Sequence, residues 1–276
     1  MAWTHVTSAV GARAERRLFD EVTAYCLFIG HARSGSTLVG SLLSAHPDVV
    51  IAHELDTLRF VQWRYTRDQL FHLVLRRDAE FASRGHRHGD NGYEYAVAGG
   101  WQGRHRQLRV VGDKKAGAST RRLGDHPDLL DRLRRTVRVP LRLIQVTRNP
   151  FDNIASIARH GKSLSEAADR YFARCATLAG IWRTVGADEL RATRHEDLVA
   201  EPEATLSELC RFIGVAADEQ YLSSCAEVIH AEPNRRRAET AWDPDLVARV
   251  EHRMRAYPFL EGYGFEDAPE PRRSQP

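Results

Sequence analysis

Residues 25–38 constrain the fold more than any other part of the chain, because they join a short apolar run to a glycine-bounded loop and a helical pattern. They read Tyr-Cys-Leu-Phe-Ile-Gly-His-Ala-Arg-Ser-Gly-Ser-Thr-Leu. Gly30, Gly35 and Thr37 fit the phosphate-binding frame G-x-x-x-x-G-K-S/T, but Ser36 stands in place of the lysine. Nucleotide triphosphatases use that lysine on the β- and γ-phosphates. The loop therefore predicts a phosphate cradle that does not hold ATP.

The rest of the chain alternates apolar runs with helical patterns, which is typical of a parallel sheet with crossover helices. The predicted strands are Tyr25–Ile29, Val49–Ala52, Arg109–Val111, Leu141–Val146 and Leu190–Arg194. The predicted helices are Thr37–Ser44, Leu129–Arg135, Phe151–Arg159, Leu164–Val185, Pro202–Ile213, Asp218–His230 and Pro244–Ala256. We therefore predict an α/β fold, a P-loop-type central parallel sheet flanked by helices in three layers, with the loop at the carboxyl edge where such sheets bind ligands.

A single domain is expected over residues 1–267, followed by a disordered tail over 268–276. Residues 56–108 form a long insertion between the second and third strands. Its first part, Thr57–Phe81, has helical spacing, and its second part is rich in Gly, His and Arg. The second part carries the aromatic residues Tyr93, Tyr95 and Trp101. We expect an acceptor-side loop here, with an ordinary surface excursion as the alternative.

Composition limits the classes of partner and compartment. The 276 residues carry a net charge of +3 without a long basic run, so no nucleic-acid partner is expected. The four cysteines lie far apart, and no apolar run approaches the ~20 residues of a membrane span. We expect a cytoplasmic protein without a membrane span or signal peptide. No cluster of His and Cys ligands is present, since His86 and His88 look like loop composition, so no metal is predicted.

A second motif lies at the end of the fourth predicted strand. Arg148 follows the strand directly, Pro150 begins a helix, and Ser156 lies two turns inside that helix. A guanidinium fork at a strand end suits a phosphate dianion. The alternative is a surface ion pair for Arg148 and no special role for Ser156.

Together, Gly-His-Ala-Arg-Ser-Gly-Ser-Thr-Leu and the Arg…Pro…Ser spacing resemble motifs of the sulfotransferase superfamily, whose donor is 3′-phosphoadenosine 5′-phosphosulfate (PAPS). The resemblance implies a cradle for the 5′-phosphosulfate and a separate site for the 3′-phosphate. The 5′ cradle would comprise Arg33, Ser34, Gly35, Ser36 and Thr37, and the 3′ site Arg148 and Ser156. A basic loop at Arg235–Arg237 would close over the nucleotide. We take Arg237 as its contact, with the choice among the three arginines open.

A third segment, 193–215, is similar to the Tyr-Glu-Asp-Leu…Pro…Phe-Leu-Gly segment of the same family. We interpret it as architecture, with Glu196 and Asp197 in capping or ion-pair roles.

The resemblance also implies a catalytic base and a cation. Glu54 follows the second strand, at the same sheet edge as the cradle, and is our preferred base. His53 and, less favoured, His31 are the competitors, because the ordinary pKa of histidine, about 6.5, suits proton transfer at neutral pH. Lys114 matches the family's Asp-Lys-x-Pro element, although Ala116 replaces the proline, so that Lys115 stays open as the alternative.

The predicted reaction is transfer of a sulfuryl group from PAPS to a hydroxyl or amine of a small-molecule or glycan acceptor. Two alternatives stay open. Val-Val-Gly-Asp at 110–113 could be a Walker B strand whose aspartate holds Mg²⁺, which would indicate a kinase or nucleotide hydrolase. The chain could also be a catalytically silent nucleotide-binding protein. The acceptor and the oligomeric state cannot be deduced from the sequence.

Overall fold

Five parallel strands form the centre of the fold in a computed structural model that describes residues 2–85, 94–229 and 235–266. The strands are β1 (Ala24–Gly30), β2 (Val49–His53), β3 (Val110–Lys114), β4 (Leu141–Thr147) and β5 (Leu190–Arg194). The predicted tail over 268–276 and the part of the predicted loop that holds His86, His88 and Tyr93 lie outside the described residues.

The strands follow the order β2-β3-β1-β4-β5, and every neighbouring pair is parallel. From β1 the chain runs to β2 at one edge of the sheet. From β4 it runs to β5 at the opposite edge. The carboxyl ends of β1 and β4 therefore flank the point where the connections change direction. Open α/β sheets bind their ligands in the crevice at such a point.

Helices cover both faces of the sheet, which gives three layers. The helices are α1 (Ala2–Phe19), α2 (Ser36–Ser44), α3 (Thr57–Gln62), α4 (Arg67–Ser83), α5 (Ala116–Asp125), α6 (Leu129–Val137), α7 (Pro150–Ala158), α8 (Leu164–Trp182), α9 (His195–Ala200), α10 (Pro202–Ile213), α11 (Glu219–Ala226) and α12 (Pro244–Met254). Short 3₁₀ turns follow at Arg236–Glu239 and Pro258–Leu260.

Alternate residues of the strands build two separate cores. On β1, Tyr25 and Leu27 pack into a core formed with α1, α3, α4, α6, α7, α8 and α12. Cys26 and Phe28 point to the opposite face and pack against α2, α9, α10 and α11. Both faces of the strands are buried, which explains why the strands read as continuous apolar runs.

The predicted α/β class and all five predicted strands are confirmed, with boundaries shifted by at most three residues. The helical pattern over Thr57–Phe81 is divided between α3 and α4, because the chain turns at Arg64 with φ 59° before the Thr66 hydroxyl caps α4. Three helices were not predicted, namely α1, α5 and α9. None of the described helices combines the length and the apolar character needed to cross a bilayer.

Candidate active site

The loop between β1 and α2 forms the phosphate cradle. It turns through three residues with positive φ, at Gly30 (122°), Arg33 (68°) and Gly35 (94°). No side chain caps the beginning of α2 at Ser36, so the N–H groups of its first turn are available to an anion. The Gly30 N–H donates to the Thr120 hydroxyl over 2.7 Å, which fixes the loop to α5.

A cavity of about 1380 Å³ opens from this cradle. Its volume exceeds the range of about 300–1,000 Å³ usual for one drug-sized ligand. Of the residues predicted from the sequence, it is lined by Arg33, Gly35, Ser36, Thr37, Glu54, Arg148 and Ser156. Ser34 is buried behind the loop, where its hydroxyl donates to the His31 carbonyl over 2.9 Å.

Arg33 and Ser156 join the cradle to α7. Arg33 Nε donates to Ser156 Oγ over 3.2 Å. Arg148 follows β4 and lines the same part of the cavity. Burial lowers the pKa of the Arg148 guanidinium, as do the charges of Arg236 and Arg33, while two neighbouring carboxylates oppose this shift. Three guanidinium groups thus lie near one another beside a hydroxyl, which is an arrangement suited to a phosphate dianion.

Arg237 contacts α7 through its backbone and its side chain. Its guanidinium lies 2.6 Å from Asp152 Oδ2, and its N–H donates to Asp152 Oδ1 over 2.8 Å. The side chain is 7% exposed and is not among the described residues that line the cavity. The two neighbouring arginines, Arg235 and Arg236, do line it. The contact between Arg237 and Asp152 fixes the basic turn to α7.

Glu54, Lys114 and Thr37 form a polar cluster at the ends of β2, β3 and the cradle. The Lys114 ammonium lies 2.6 Å from Glu54 Oε1 and 3.0 Å from Thr37 Oγ1. Lys114 is 1% exposed, and burial is the main cause that lowers its pKa. Lys115 lines the cavity instead, with its ammonium 3.9 Å from Glu54 Oε2. An ammonium group thus lies beside the Thr37 hydroxyl, although the loop itself has Ser36 in place of a lysine.

Asp113 fixes the backbone of Glu54. Its carboxylate accepts the N–H groups of Leu55 over 3.1 Å and Thr57 over 2.7 Å. Glu54 itself has φ 59°, which is uncommon for a residue with a side chain. Burial raises the pKa of Asp113 to about 6. Because neighbouring residues of a strand point to opposite faces, Asp113 faces α3, and Lys114 faces α2. This orientation does not fit the Walker B interpretation of Asp113.

The two histidines considered as alternative bases are both buried. His53 is 2% exposed, stacks on Phe81 at 3.9 Å, and places Nε2 3.2 Å from Ser41 Oγ. His31 stacks on Tyr171, and its Nε2 lies 3.0 Å from the Tyr171 carbonyl. Burial lowers the pKa of His31 to about 3. Neither side chain is among the described residues that line the cavity.

Glu196 was predicted to have a capping or ion-pair role. In the structure its carboxylate accepts the Asn149 N–H and the Tyr263 hydroxyl, each over 2.8 Å, and so joins α9 to the loop that precedes α7 and to Tyr263. Burial raises its pKa.

His195 is a residue of the site that sequence reasoning missed. It begins α9 directly after β5 and lines the cavity beside the cradle. Its Nδ1 atom is buried and has no hydrogen-bond partner among the described residues. Burial, followed by the charge of Arg148, lowers its pKa to about 4. The sequence offers one signal for this residue, because His195 directly follows β5, the strand that pairs with β4.

Comparison with known proteins gives a family match and a common fold. The family model described as "Sulfotransferase family" matches residues 27–219. No curated protein sequence matches the chain. Sulfotransferase STF9 from Mycobacterium avium superposes with a TM-score of 0.51 at 10% identity, over 91% of this chain and 81% of that one.

Two further solved structures are similar at lower scores. A sulfotransferase from Alicyclobacillus acidocaldarius has a TM-score of 0.49 at 18% identity, over 90% of this chain and 98% of that one. Mouse sulfotransferase SULT7A1, solved with PAP, has a TM-score of 0.46 at 9% identity, over 86% of each chain.

Proposed function

The chain belongs to the sulfotransferase family, and from this premise we propose that it transfers a sulfuryl group from PAPS to a hydroxyl or amine of a small-molecule or glycan acceptor. Two groups of residues suited to binding anions support the proposal, one on either side of the crevice between β1 and β4. One is the cradle at the beginning of α2, and the other is the basic pocket of Arg33, Arg148 and Ser156. A nucleotide with phosphate groups at both the 5′ and the 3′ positions matches this pair.

The 5′ end of the donor would be held by the first-turn N–H groups of α2 and by the hydroxyls of Ser36 and Thr37. The 3′-phosphate would be held by Arg148 and Ser156, with Arg33 between the two sites. A guanidinium that is partly desolvated binds a phosphate more strongly than one in water. His195 and the turn at Arg235 and Arg236 would complete the walls of the nucleotide site.

In the proposed reaction the acceptor oxygen or nitrogen forms a bond to sulfur while the bond from sulfur to the 5′-phosphate oxygen breaks. Glu54 takes the acceptor proton. The leaving phosphate gains negative charge, and Lys114, Thr37 and the α2 N–H groups lie where they can stabilise it. Glu54 is held in place before the reaction, because Asp113 accepts the N–H groups of Leu55 and Thr57 in the segment that follows it.

Triphosphate chemistry is disfavoured at the same position. In nucleotide triphosphatases the hydroxyl of the loop threonine binds Mg²⁺. Here the Thr37 hydroxyl already accepts a hydrogen bond from the Lys114 ammonium over 3.0 Å. A second cation at that oxygen would be repelled by the first.

The cysteines support a cytoplasmic location for the proposed enzyme. Cys26, Cys175, Cys210 and Cys225 are all buried and free. Buried thiols without disulfides are typical of a reducing compartment.

Calorimetric titration with 3′-phosphoadenosine 5′-phosphate (PAP) beside ATP–Mg²⁺ tests the proposal. We expect saturable binding of PAP and much weaker binding of ATP–Mg²⁺. Preference for ATP–Mg²⁺ would overturn the proposal in favour of a kinase or hydrolase. Tight binding of PAP without sulfate transfer to any of a broad set of acceptors would instead favour the nucleotide-binding protein without activity.

A further inference from the structure

A second group of cations lines the same cavity. Arg121 on α5 and Arg170 and Arg174 on α8 face the same space, and we call these three residues the arginine patch. Arg121 and Arg170 are exposed to solvent, and Arg174 is half-buried. No function discussed above uses any of them.

The patch brings three positive charges to one wall of the cavity. In the part of the chain that the structure describes, none of the three arginines lies in an ion pair with a carboxylate. Burial lowers the pKa of Arg174, and the charges of Arg121 and Arg170 lower it further. Three carboxylates line the cavity, namely Glu54, which is paired with Lys114, Glu239, which is paired with Arg236, and Glu94. Three cations that repel one another at a cavity wall would be stabilised by an anionic ligand.

The patch lies on the same wall as Lys115 and is connected to the cradle through α5. Arg174 Nε donates to the Gly117 carbonyl over 3.3 Å, and Gly117 packs directly against the Ala32 backbone. Arg121 lies six residues along α5 from Lys115, a rise of about 9 Å. The proposed nucleotide residues come from other parts of the fold: Arg148 follows β4, Ser156 lies in α7, and His195 begins α9. The patch is therefore within reach of a ligand whose other end lies at Glu54.

We propose that the acceptor is anionic and that the arginine patch binds its carboxylate, phosphate or sulfate group while the reacting hydroxyl or amine lies at Glu54. This inference rests on the proposed sulfotransferase function and names the class of its acceptor. Binding the charged end about 9 Å along the wall would fix the orientation of the acceptor before transfer. It would also select against neutral molecules of the same shape, since these would leave the positive charges of the patch without an anionic partner.

The test is anion binding by protein that is already saturated with PAP, so that both nucleotide phosphate sites are filled. Inorganic sulfate, inorganic phosphate and acetate are titrated separately by calorimetry at constant ionic strength, and the three arms distinguish the chemistry of the bound group. We expect saturable binding of at least one anion, weakened about 10-fold by Arg170→Gln and by Arg121→Gln. Arg183→Gln, at the exposed C-terminal end of α8, is the matched control and should leave the affinity unchanged.

The outcomes separate this inference from the proposed function. A protein that does not bind PAP overturns the proposed function. A protein that binds PAP but none of the three anions overturns only the inference about the acceptor. If Arg170→Gln and Arg121→Gln leave the anion affinity unchanged, the anion binds elsewhere. This result also overturns the inference about the acceptor. Both substituted residues are exposed, so loss of folding does not obscure the result, and a thermal melt of each variant checks this.

Discussion

The Glu54 carboxylate and the Lys114 ammonium are 2.6 Å apart, although the two residues come from different strands and are separated by 60 positions. Both lie at the carboxyl end of the sheet, because β2 pairs with β3 in a register that places His53 opposite Lys114. The chain then turns at Glu54 with positive φ and directs the carboxylate into the cavity. One side of the pair thus faces the proposed acceptor, and the other side contacts the phosphate cradle through Thr37.

Glu54→Gln should lower turnover by about 10²–10⁴-fold, the usual effect of removing a positioned base. The amide keeps the shape of the side chain, so PAP affinity should change little. The measurement is single-turnover sulfate transfer from labelled PAPS with any acceptor that is found.

His53→Asn is the control for the position of the base. His53 is buried against Phe81 and Ser41, so we expect a loss of folding stability of about 1–3 kcal/mol and a nearly unchanged rate of transfer. If the His53 variant is inactive and the Glu54 variant is active, His53 and not Glu54 is the catalytic base.

Lys114→Met should lower the rate of transfer by about 10²–10³-fold, because it removes a fixed positive charge beside the leaving phosphate. Methionine preserves much of the apolar stem, which packs against Gly40 of α2. Lys115→Met is the matched control, since its ammonium lies farther from Glu54 and has no contact with Thr37. Equal losses in the two variants would show that net charge in the cavity matters and that the specific position of Lys114 does not.

Arg148→Ala should weaken PAP binding by about 10- to 150-fold, the effect of losing one charge-assisted contact to a phosphate. Adenosine 5′-phosphosulfate lacks the 3′-phosphate, and its affinity should be little changed. Calorimetry with both ligands measures the difference. Arg191→Ala, an exposed arginine on the neighbouring strand β5, is the control. Equal losses for both nucleotides would mean that Arg148 does not bind the 3′-phosphate.

His31 should make the protein sensitive to acid. Its pKa is about 3 when folded, mainly because of burial, whereas the ordinary value is 6.5. The unfolded chain therefore binds a proton near pH 6.5 that the folded protein does not bind until the pH is far lower. The stability contributed by neutral His31 is complete above pH 6.5 and is lost as the pH falls toward 3, by up to about 1.4 kcal/mol per pH unit.

His31→Phe keeps the ring stacked on Tyr171 and cannot titrate. In urea unfolding between pH 7 and pH 4, the wild-type protein should lose more free energy of unfolding than His31→Phe as the pH falls. Other titrating groups, including His195, are common to both proteins and cancel in the difference. Parallel curves would mean that His31 is protonated in the folded state or accessible to solvent.

The strands were predictable because both of their faces are buried, so that their sequences show continuous apolar runs. Helix α5 was not predicted, because its sequence has no apolar pattern. Its sequence Ala-Gly-Ala-Ser-Thr-Arg-Arg-Leu-Gly-Asp has one large apolar residue, Leu123, and its close packing on the cradle depends on small side chains. Small residues give no apolar periodicity, and so the position of Arg121 on a helix was not predicted either.

Among the site residues, those that follow a strand directly could be placed from the sequence, because the parallel sheet brings the carboxyl ends together. Glu54 and Arg148 are of this kind. The basic turn at Arg235–Arg237 was different. In a 3₁₀ turn successive side chains point in different directions, and the contact of Arg237 with Asp152 depends on a residue 85 positions away. Local sequence holds no information on that contact.

Gly35→Ala should reduce both stability and nucleotide affinity. Gly35 has φ 94°, and a Cβ atom there would lie 2.5 Å from His195 Nδ1. The left-handed backbone costs about 1–2 kcal/mol for a residue with a side chain. The contact with His195 must in addition displace the cradle or the imidazole ring, and both line the proposed nucleotide site.

Gly214→Ala separates these two effects. Gly214 ends α10 with φ 91°, and no atom lies within 4 Å of the position that its Cβ would occupy. It should therefore show only the loss of stability that the left-handed backbone causes, a smaller loss than in Gly35→Ala, with unchanged PAP affinity. Gly35→Ala should weaken PAP binding at least 10-fold. Adding His195→Ala to Gly35→Ala removes the clash and leaves the backbone strain, so the double variant should recover stability relative to Gly35→Ala alone. If Gly35→Ala and Gly214→Ala bind PAP equally well, the cradle tolerates a side chain at Gly35, and its close contact with His195 does not determine the nucleotide site.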